Sequence, residues 1–314
     1  MDLIYAVLGL VILLLAGDAL VRGSVNLALR LGIPALIVSL TVVSFGTSAP
    51  ELFISIGAVL DNAPGIAMGN VVGSNTANVL LVLGIPALMT GIDTSRSDTG
   101  KSYILMMIRT LWFIALCFFG PLMWVHGIML LGVLAVILFD QGREARTHMI
   151  ASADAEVEEV EGADPSMPGW RIALFLVLGL VGLPLGADLF VNSAVNIATD
   201  LGVSETVIGL TLVAIGTSLP ELATTVVAAI RRQAEVALGN VIGSNMFNLL
   251  AIIGVASFFG EIPVERSFLS FDLWVMLAAS AVLAPFLLLR KNITRAVGGL
   301  LTALYVGYLL VVLL

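Results

Sequence analysis

The sequence is poor in charge. Only 11% of its 314 residues are Asp, Glu, Lys or Arg, whereas roughly 25% is usual in a soluble domain. Hydrophobic residues make up 59% of the chain, a composition typical of proteins whose helices face lipid. We therefore expect an integral-membrane protein, with the lipid bilayer as a partner and no nucleic-acid partner.

Cysteine and histidine are also scarce. Cys117 is the only cysteine, so no intramolecular disulfide is available, and its apolar surroundings predict a packing role. The two histidines, His126 and His148, lie near the ends of predicted helices. Because paired His or Cys ligands are lacking, the sequence argues against a dedicated zinc or copper site.

The chain lacks a Lys/Arg-rich start before a short apolar run, so its first hydrophobic stretch predicts a retained span rather than a signal peptide. Six acidic residues lie between positions 154 and 164, so the rest of the chain carries only −2 of the net charge of −8. Residues 140–169 are polar and lack the ligand spacing of an EF-hand loop. We interpret them as a solvated cytoplasmic linker.

Apolar runs long enough to cross about 30 Å of hydrocarbon predict ten helices, at residues 3–28, 35–60, 66–90, 103–119, 122–139, 171–198, 205–230, 236–259, 268–289 and 296–314. Gly120 and Pro121 mark either a turn or a kink. A turn, with both termini outside, puts every Lys and Arg except Arg266 at a cytoplasmic end, Arg109 included. We therefore expect a multi-pass protein of the cell membrane with extracytoplasmic termini.

The sequence repeats itself with a shift of 170 residues and no gap. SLTVVSFGTSAPELFIS at 39–55 aligns with GLTLVAIGTSLPELATT at 209–225, and GNVVGSNTANVLLVLG at 69–84 aligns with GNVIGSNMFNLLAIIG at 239–254. Each unit has five predicted spans, an odd number, so the second must enter the membrane from the opposite side. The predicted fold is all-α, with a first inverted repeat at 1–139, the linker at 140–169 and a second repeat at 170–314. Such repeats indicate a transporter with a site near the midplane.

Two carboxyl groups lie deep within apolar spans. Glu51 and Glu221 each cost on the order of 2.5–3.5 kcal/mol at such a depth, even on a lenient insertion scale. The sequence offers no Lys or Arg at comparable depth, so the compensating partner is either a bound cation or a proton.

Prolines supply further oxygen ligands beside each carboxyl. Pro50 has no N–H for the carbonyl of Gly46, and Pro220 likewise frees the carbonyl of Gly216. Backbone oxygens left unpaired within a membrane can face an ion.

Hydroxyl and amide side chains recur at helical spacings of three or four around both carboxyls. Calcium prefers six to eight oxygen ligands, and the two carboxylates match its charge. The candidate metal ligands are Ser44, Thr47, Ser48, Glu51, Ser74, Asn78, Ala214, Thr217, Ser218, Glu221, Ser244 and Asn248.

Other polar or small residues have structural interpretations. Asparagines beside the motif glycines are possible ligands, but we favour their satisfying loosened backbone; they are Asn70, Asn75, Asn240 and Asn245. Asp18 and Asp188 are expected to pin helix junctions rather than attract cations. Small residues predict close helix packing, as at Gly9, Gly17, Gly179 and Gly182.

At GTSAPE (46–51), GTSLPE (216–221) and the two GNVxGSN segments, the sequence resembles the sodium/calcium exchanger branch of the calcium/cation antiporter superfamily. The resemblance implies ten helices, alternating access, the ligand set above, and carbonyl ligands at Ser44 and Ala214. Proton-coupled relatives typically carry Gly-Asn-Ala-x-Glu-like motifs, so Thr and Ser after the glycine favour sodium coupling. Asn248 stands where some potassium-dependent relatives carry Asp, which argues against potassium coupling.

The expected function is secondary active exchange of Na⁺ for Ca²⁺, without a cofactor and without enzymatic activity. Proton/calcium exchange is the main alternative, because burial lets a carboxyl hold a proton. A passive cation channel is a second. A membrane enzyme is a third, but no nucleophile with its base is visible.

Overall fold

A computed structural model describes residues 1–95, 99–151, 164, 166–202 and 214–313. This part of the chain is helical, without a β-strand, which confirms the all-α prediction there. The helices are α1 (Asp2–Leu31), α2 (Ala35–Thr47), α3 (Ala49–Leu60), α4 (Pro64–Thr90), α5 (Gly100–Cys117), α6 (Trp124–Ala151), α7 (Gly169–Asp200), α8 (Ala214–Thr217), α9 (Leu219–Ile230), α10 (Ala234–Ala256), α11 (Phe268–Leu287) and α12 (Arg295–Leu313).

Eight of the described helices are long and apolar enough to cross a membrane, or nine if α2 and α3, which meet at 43°, form one span. The fold is therefore that of a multi-pass membrane protein. The first part of the predicted span at 205–230 lies outside the described residues, and α9 alone has 12 residues. The number ten stays a prediction.

The boundaries of two predicted segments can be compared with the structure. The turn expected at Gly120 and Pro121 is confirmed, because α5 ends at Cys117 and α6 begins at Trp124, with φ of 113° at Gly120. α6 continues to Ala151, so the first residues of the predicted linker at 140–169 are helical. Residues 152–163 and 165 of the linker lie outside the described part.

The local geometry repeats with the same 170-residue shift as the sequence. Pro50 and Pro220 lie in the first turns of α3 and α9, and the serines just before these helices have nearly equal backbone angles, with φ and ψ of −85° and 7° at Ser48 and −87° and 5° at Ser218. π-helical turns at Asn78–Val82 and Asn248–Ile252 also correspond. The two halves therefore share local backbone geometry as well as sequence motifs.

Two helices form the centre of the molecule. In α4 and α10, 83% and 94% of the most apolar 18-residue window is buried, against 17% to 44% in the other candidate spans. Both contain a GNVxGSN motif, so the polar motif residues lie farthest from lipid. Hydrophobic clusters surround these helices, with Phe113 and Met276 among the fully buried side chains.

The first helix of each half packs closely on the other through glycine. A Cβ atom added to Gly9 of α1 would lie 2.7 Å from the backbone nitrogen of Phe190 in α7, and one added to Gly179 would lie 2.9 Å from that of Leu20. Real Cβ atoms do not approach backbone so closely, so the predicted role of these glycines in packing is confirmed.

Asp18 joins α1 to the end of α9. Its carboxylate accepts hydrogen bonds from the guanidinium of Arg231 and forms a salt bridge at 2.8 Å with Nε of Arg22. The predicted pinning role is therefore confirmed for Asp18. Asp188 is exposed and accepts a hydrogen bond at 3.0 Å from Asn192 of its own helix, so it has no comparable junction among the described residues.

We expect Gly179→Ala to destabilise the protein, because the added methyl group meets the backbone of Leu20 and must separate α1 from α7. Such overpacking costs typically 1–3 kcal/mol. Gly132→Ala is the matched control, since a Cβ there meets no atom within 4 Å. Thermal unfolding in detergent should give a lower midpoint for Gly179→Ala alone; equal midpoints would contradict the packing argument.

Candidate functional site

The two motif glutamates lie buried in the first turns of two short helices. Glu51 in α3 is 1% exposed and Glu221 in α9 is 0% exposed. A helix N-terminus carries partial positive charge and favours a nearby carboxylate. Ser48, three residues before Glu51, donates a hydrogen bond to Glu221, so two groups of like charge lie in the same region and repel each other when both are ionised.

Hydroxyl groups from both halves converge on Glu221. Ser48 Oγ donates to Glu221 Oε1 at 3.0 Å, and Ser244 Oγ donates to the same oxygen at 3.4 Å. Thr47 Oγ1 lies 3.5 Å from Ser244 Oγ. The corner between α2 and α3 therefore contacts α9 and α10 at one polar site, as the sequence predicted for these four residues.

Many polar atoms at this site have no hydrogen-bond partner among the described residues, although each is buried. Among the predicted ligands they are Glu51 Oε1 and Oε2, Asn78 Oδ1, Ser218 Oγ, Glu221 Oε2, and Asn248 Oδ1 and Nδ2. Buried polar groups are normally paired, and an unpaired one costs free energy. Since most of these atoms are oxygens, the arrangement suits a cation that accepts several oxygen ligands.

Neither glutamate forms a salt bridge in the described part of the chain. Arg109 nevertheless lies deeper than predicted. Instead of a helix end it occupies the middle of α5, where its Nη1 contacts Met246 Sδ at 3.2 Å, two residues from Ser244. The placement of charges in the sequence could not show how deeply Arg109 is buried along α5.

Asparagines hold both glutamate helices in the same way. Asn70 Nδ2 donates to the Glu51 carbonyl at 3.2 Å and to Ser55 Oγ at 3.0 Å. Asn240 Nδ2 makes the equivalent bonds, at 3.2 Å to the Glu221 carbonyl and 3.0 Å to Thr225 Oγ1. The predicted structural role of both asparagines is therefore confirmed.

Ser55 and Thr225 were not among the predicted functional residues. Each lies four residues after a motif glutamate, and the 170-residue shift pairs them. Thr225 Oγ1 also donates to the Glu221 carbonyl at 2.7 Å. The shared shift was the signal that could have found them.

The remaining predicted ligands have mixed surroundings. Ser44 uses its Oγ to donate to the Ser39 carbonyl at 2.7 Å, while its own carbonyl accepts the Ser48 N–H at 3.0 Å. Ser74 is buried in α4. Ala214 and Thr217 begin and end α8. Their roles as ligands stay predictions.

Fold and site together define a multi-pass membrane protein with a buried, acidic, oxygen-lined centre. The chain matches the family described as "Sodium/calcium exchanger protein" over residues 1–141 and 171–314. It therefore belongs to the sodium/calcium exchanger protein family.

Individual relatives match along nearly the whole chain. Sodium/calcium exchanger MaX1 of Methanosarcina acetivorans is 34% identical over 342 residues, covering 97% of this chain and 96% of that protein. Inner membrane protein YrbG of Escherichia coli is 32% identical over 305 residues, covering 96% and 94%. A structure of the sodium-calcium exchanger NCX_Mj soaked with Na⁺ and Sr²⁺ matches with a TM-score of 0.80 and 33% identity, covering 98% of this chain and 97% of that one.

We expect Asn240→Leu to lower stability, because it preserves side-chain shape but removes the bonds that join α10 to α9. Losing the two buried hydrogen bonds, to the Glu221 carbonyl and to Thr225 Oγ1, costs about 0.5–1.5 kcal/mol each. Asn192→Leu is the control, since Asn192 is exposed and bonds only within α7. A thermal midpoint as low for Asn192→Leu as for Asn240→Leu would contradict the assigned role.

Proposed function

We propose that this protein exchanges Na⁺ for Ca²⁺ across the cell membrane as a secondary active antiporter. The observation that carries the proposal is the pair of buried glutamates, one from each half, which form no salt bridge with any of the described residues. A charge of −2 in a membrane interior requires compensation, and a divalent cation supplies it. The names of MaX1 and NCX_Mj as sodium/calcium exchangers support the same ions.

The proposed ion site contains the whole ligand set expected from the sequence. Its carboxylates are Glu51 and Glu221, and oxygens of hydroxyl, amide and carbonyl groups complete it. Calcium takes six to eight oxygens at about 2.3–2.6 Å and tolerates irregular geometry. The further ligands are Ser44, Thr47, Ser48, Ser74, Asn78, Ala214, Thr217, Ser218, Ser244 and Asn248.

The mechanism we propose is alternating access at this one site. Both carboxylates are almost completely buried, so in this conformation the site is closed to solvent. A cavity of about 1190 Å³ lies among the ends of α1, α4, α9 and α12, yet none of the proposed ligands lines it. An empty site retains two buried negative charges and resists reorientation, whereas bound sodium or calcium neutralises them and allows it. Competition for the same carboxylates then couples the two ions.

We further propose ten spans arranged as two inverted repeats, 1–139 and 170–314, joined by a cytoplasmic linker at 140–169. The shared 170-residue shift supports the duplication. Two isolated backbone bridges join the two halves: Ile92 pairs with Ile293, and Leu122 pairs with Ile262. The shift relates Ile92 to Ile262, and an odd number of spans per repeat assigns these two bridges to opposite faces.

Calcium uptake into sodium-loaded proteoliposomes diluted into sodium-free buffer tests the proposed exchange. We expect uptake that requires the outward sodium gradient. Glu51→Gln and Glu221→Gln should abolish uptake with helix content unchanged, because each removes a charged ligand and keeps the side-chain shape. Glu261→Gln is the control, since Glu261 is exposed.

Each alternative predicts a different result in the same vesicles. Uptake that follows an imposed pH gradient at equal sodium would replace sodium coupling by proton coupling. Uptake without any counter-ion gradient would identify a channel. Undiminished exchange in either glutamine variant would contradict the proposed site.

The inverted arrangement predicts opposite accessibility for equivalent positions. Asn62 and Arg232 are related by the 170-residue shift, lie at matching helix ends, and have φ of 58° and 55°. In a Cys117→Ala background, we expect Asn62→Cys to react with an impermeant maleimide from outside intact cells. Arg232→Cys should react only after the cells are opened, and labelling of both from the same side would contradict the inversion.

A further inference from the structure

Three buried asparagines bond to one another where the central helices α4 and α10 meet, and a fourth, Asn248, lies three residues after Asn245. Asn75 and Asn78 belong to α4, and Asn245 and Asn248 belong to α10. All four are at most 1% exposed. Two of them are proposed ligands, and the other two are not part of the ligand set. The hydrogen bonds among them are unequal in the two halves.

In one direction the amides form a continuous relay. Asn245 Nδ2 donates to the backbone carbonyl of Asn75 at 3.4 Å. Asn245 Oδ1 then accepts a bond at 3.1 Å from Asn78 Nδ2. The remaining amide atom, Asn78 Oδ1, is buried and has no partner among the described residues.

The backbone carbonyl fixes the direction of this relay. A carbonyl oxygen only accepts hydrogen bonds, so Asn245 must turn its NH₂ group toward Asn75 and its oxygen toward Asn78. Asn78 must in turn point its NH₂ group at Asn245. Reversing the Asn78 amide would bring two oxygens together and direct an NH₂ group at the cation.

We infer that Asn245 is a positioning residue, which holds the amide of Asn78 so that its oxygen, and not its nitrogen, faces the cation. The inference rests on the proposed function, because it concerns a ligand of the proposed site. Asn245 acts through Asn78 and does not itself contact the ion.

The other half lacks the equivalent relay. Asn75 Nδ2 donates to the Asn245 carbonyl at 3.2 Å, but Asn75 Oδ1 and both amide atoms of Asn248 have no partner among the described residues. Asn75 therefore does not orient Asn248 as Asn245 orients Asn78. This difference makes Asn75 a matched control at an equivalent position.

Equilibrium binding of radioactive calcium to the purified, sodium-free protein tests the inference. Asn245→Leu keeps the side-chain shape but removes the acceptor, and we expect about ten-fold weaker binding, as expected for the loss of one well-formed hydrogen bond at a charged site. Asn75→Leu keeps the backbone carbonyl and should change the affinity less than about two-fold. Equal losses in the two leucine variants would overturn the inference.

The Asn78→Asp background distinguishes an effect of Asn245 on the orientation of the residue-78 side chain from an effect on packing. Asn78→Asp places two identical oxygens at the end of the side chain, so there is no amide to orient. In this background, Asn245→Leu should no longer weaken calcium binding. A ten-fold loss that persists in the Asn78→Asp background would mean that Asn245 acts by packing, and the positioning role would be rejected. If Asn245→Leu does not fold, Asn245→Ser serves instead, since serine is too short to reach Asn78.

Direct binding also separates this inference from the proposed function. If the unmodified protein binds no calcium, the proposed site is wrong. If it binds calcium, and Asn245→Leu binds it equally well, only the positioning role of Asn245 is wrong.

Discussion

Burial of two like charges in hydrocarbon is the constraint on which the rest of this structure depends. Glu51 and Glu221 repel each other, have no salt bridge in the described part of the chain, and are almost completely removed from solvent. A soluble protein would pair such groups with Arg or Lys. A permanent salt bridge, however, would neutralise the carboxylates and leave no negative charge for an ion to compensate. The neighbouring helices instead place the neutral hydroxyl groups of Ser48 and Ser244 against Glu221. In the proposed function, a cation supplies the missing positive charge.

The backbone is arranged to make this possible. A proline lies just before each glutamate, and both carboxylates lie in the first turn of a new helix. In the first half this helix is bent by 43° from the preceding one. Asn70 and Asn240 then join each new helix to a central one. Because α4 and α10 are the most buried spans, their amide side chains can remain partly unpaired without contact with lipid. Bulky apolar helices outside supply the contacts with the membrane.

The sequence predicted the all-α class, the duplicated unit and the residues that meet around Glu221, because charge scarcity and exact repetition leave few alternatives. It did not predict how deep Arg109 lies, since helix packing decides burial. In the sequence, Ser55 and Thr225 could not be distinguished from the many hydroxyl side chains that bond only within their own helix. The hydrogen-bond directions among the asparagines were also beyond the sequence, because they depend on which carbonyl lies opposite each amide. The repeat predicted equal surroundings for Asn78 and Asn248, whereas Asn78 donates to Asn245 and the Asn248 amide has no partner among the described residues.

The paired π-helical turns have a consequence for rotation about the helix axis. A π turn behaves as an α-helix with one extra residue, and one residue corresponds to about 100° of rotation. The segments after Val82 and Ile252 therefore present a different side to their neighbours than an uninterrupted helix would. Each central helix can thus direct polar side chains inward along its first part and still offer an apolar face to a different set of helices along its last part.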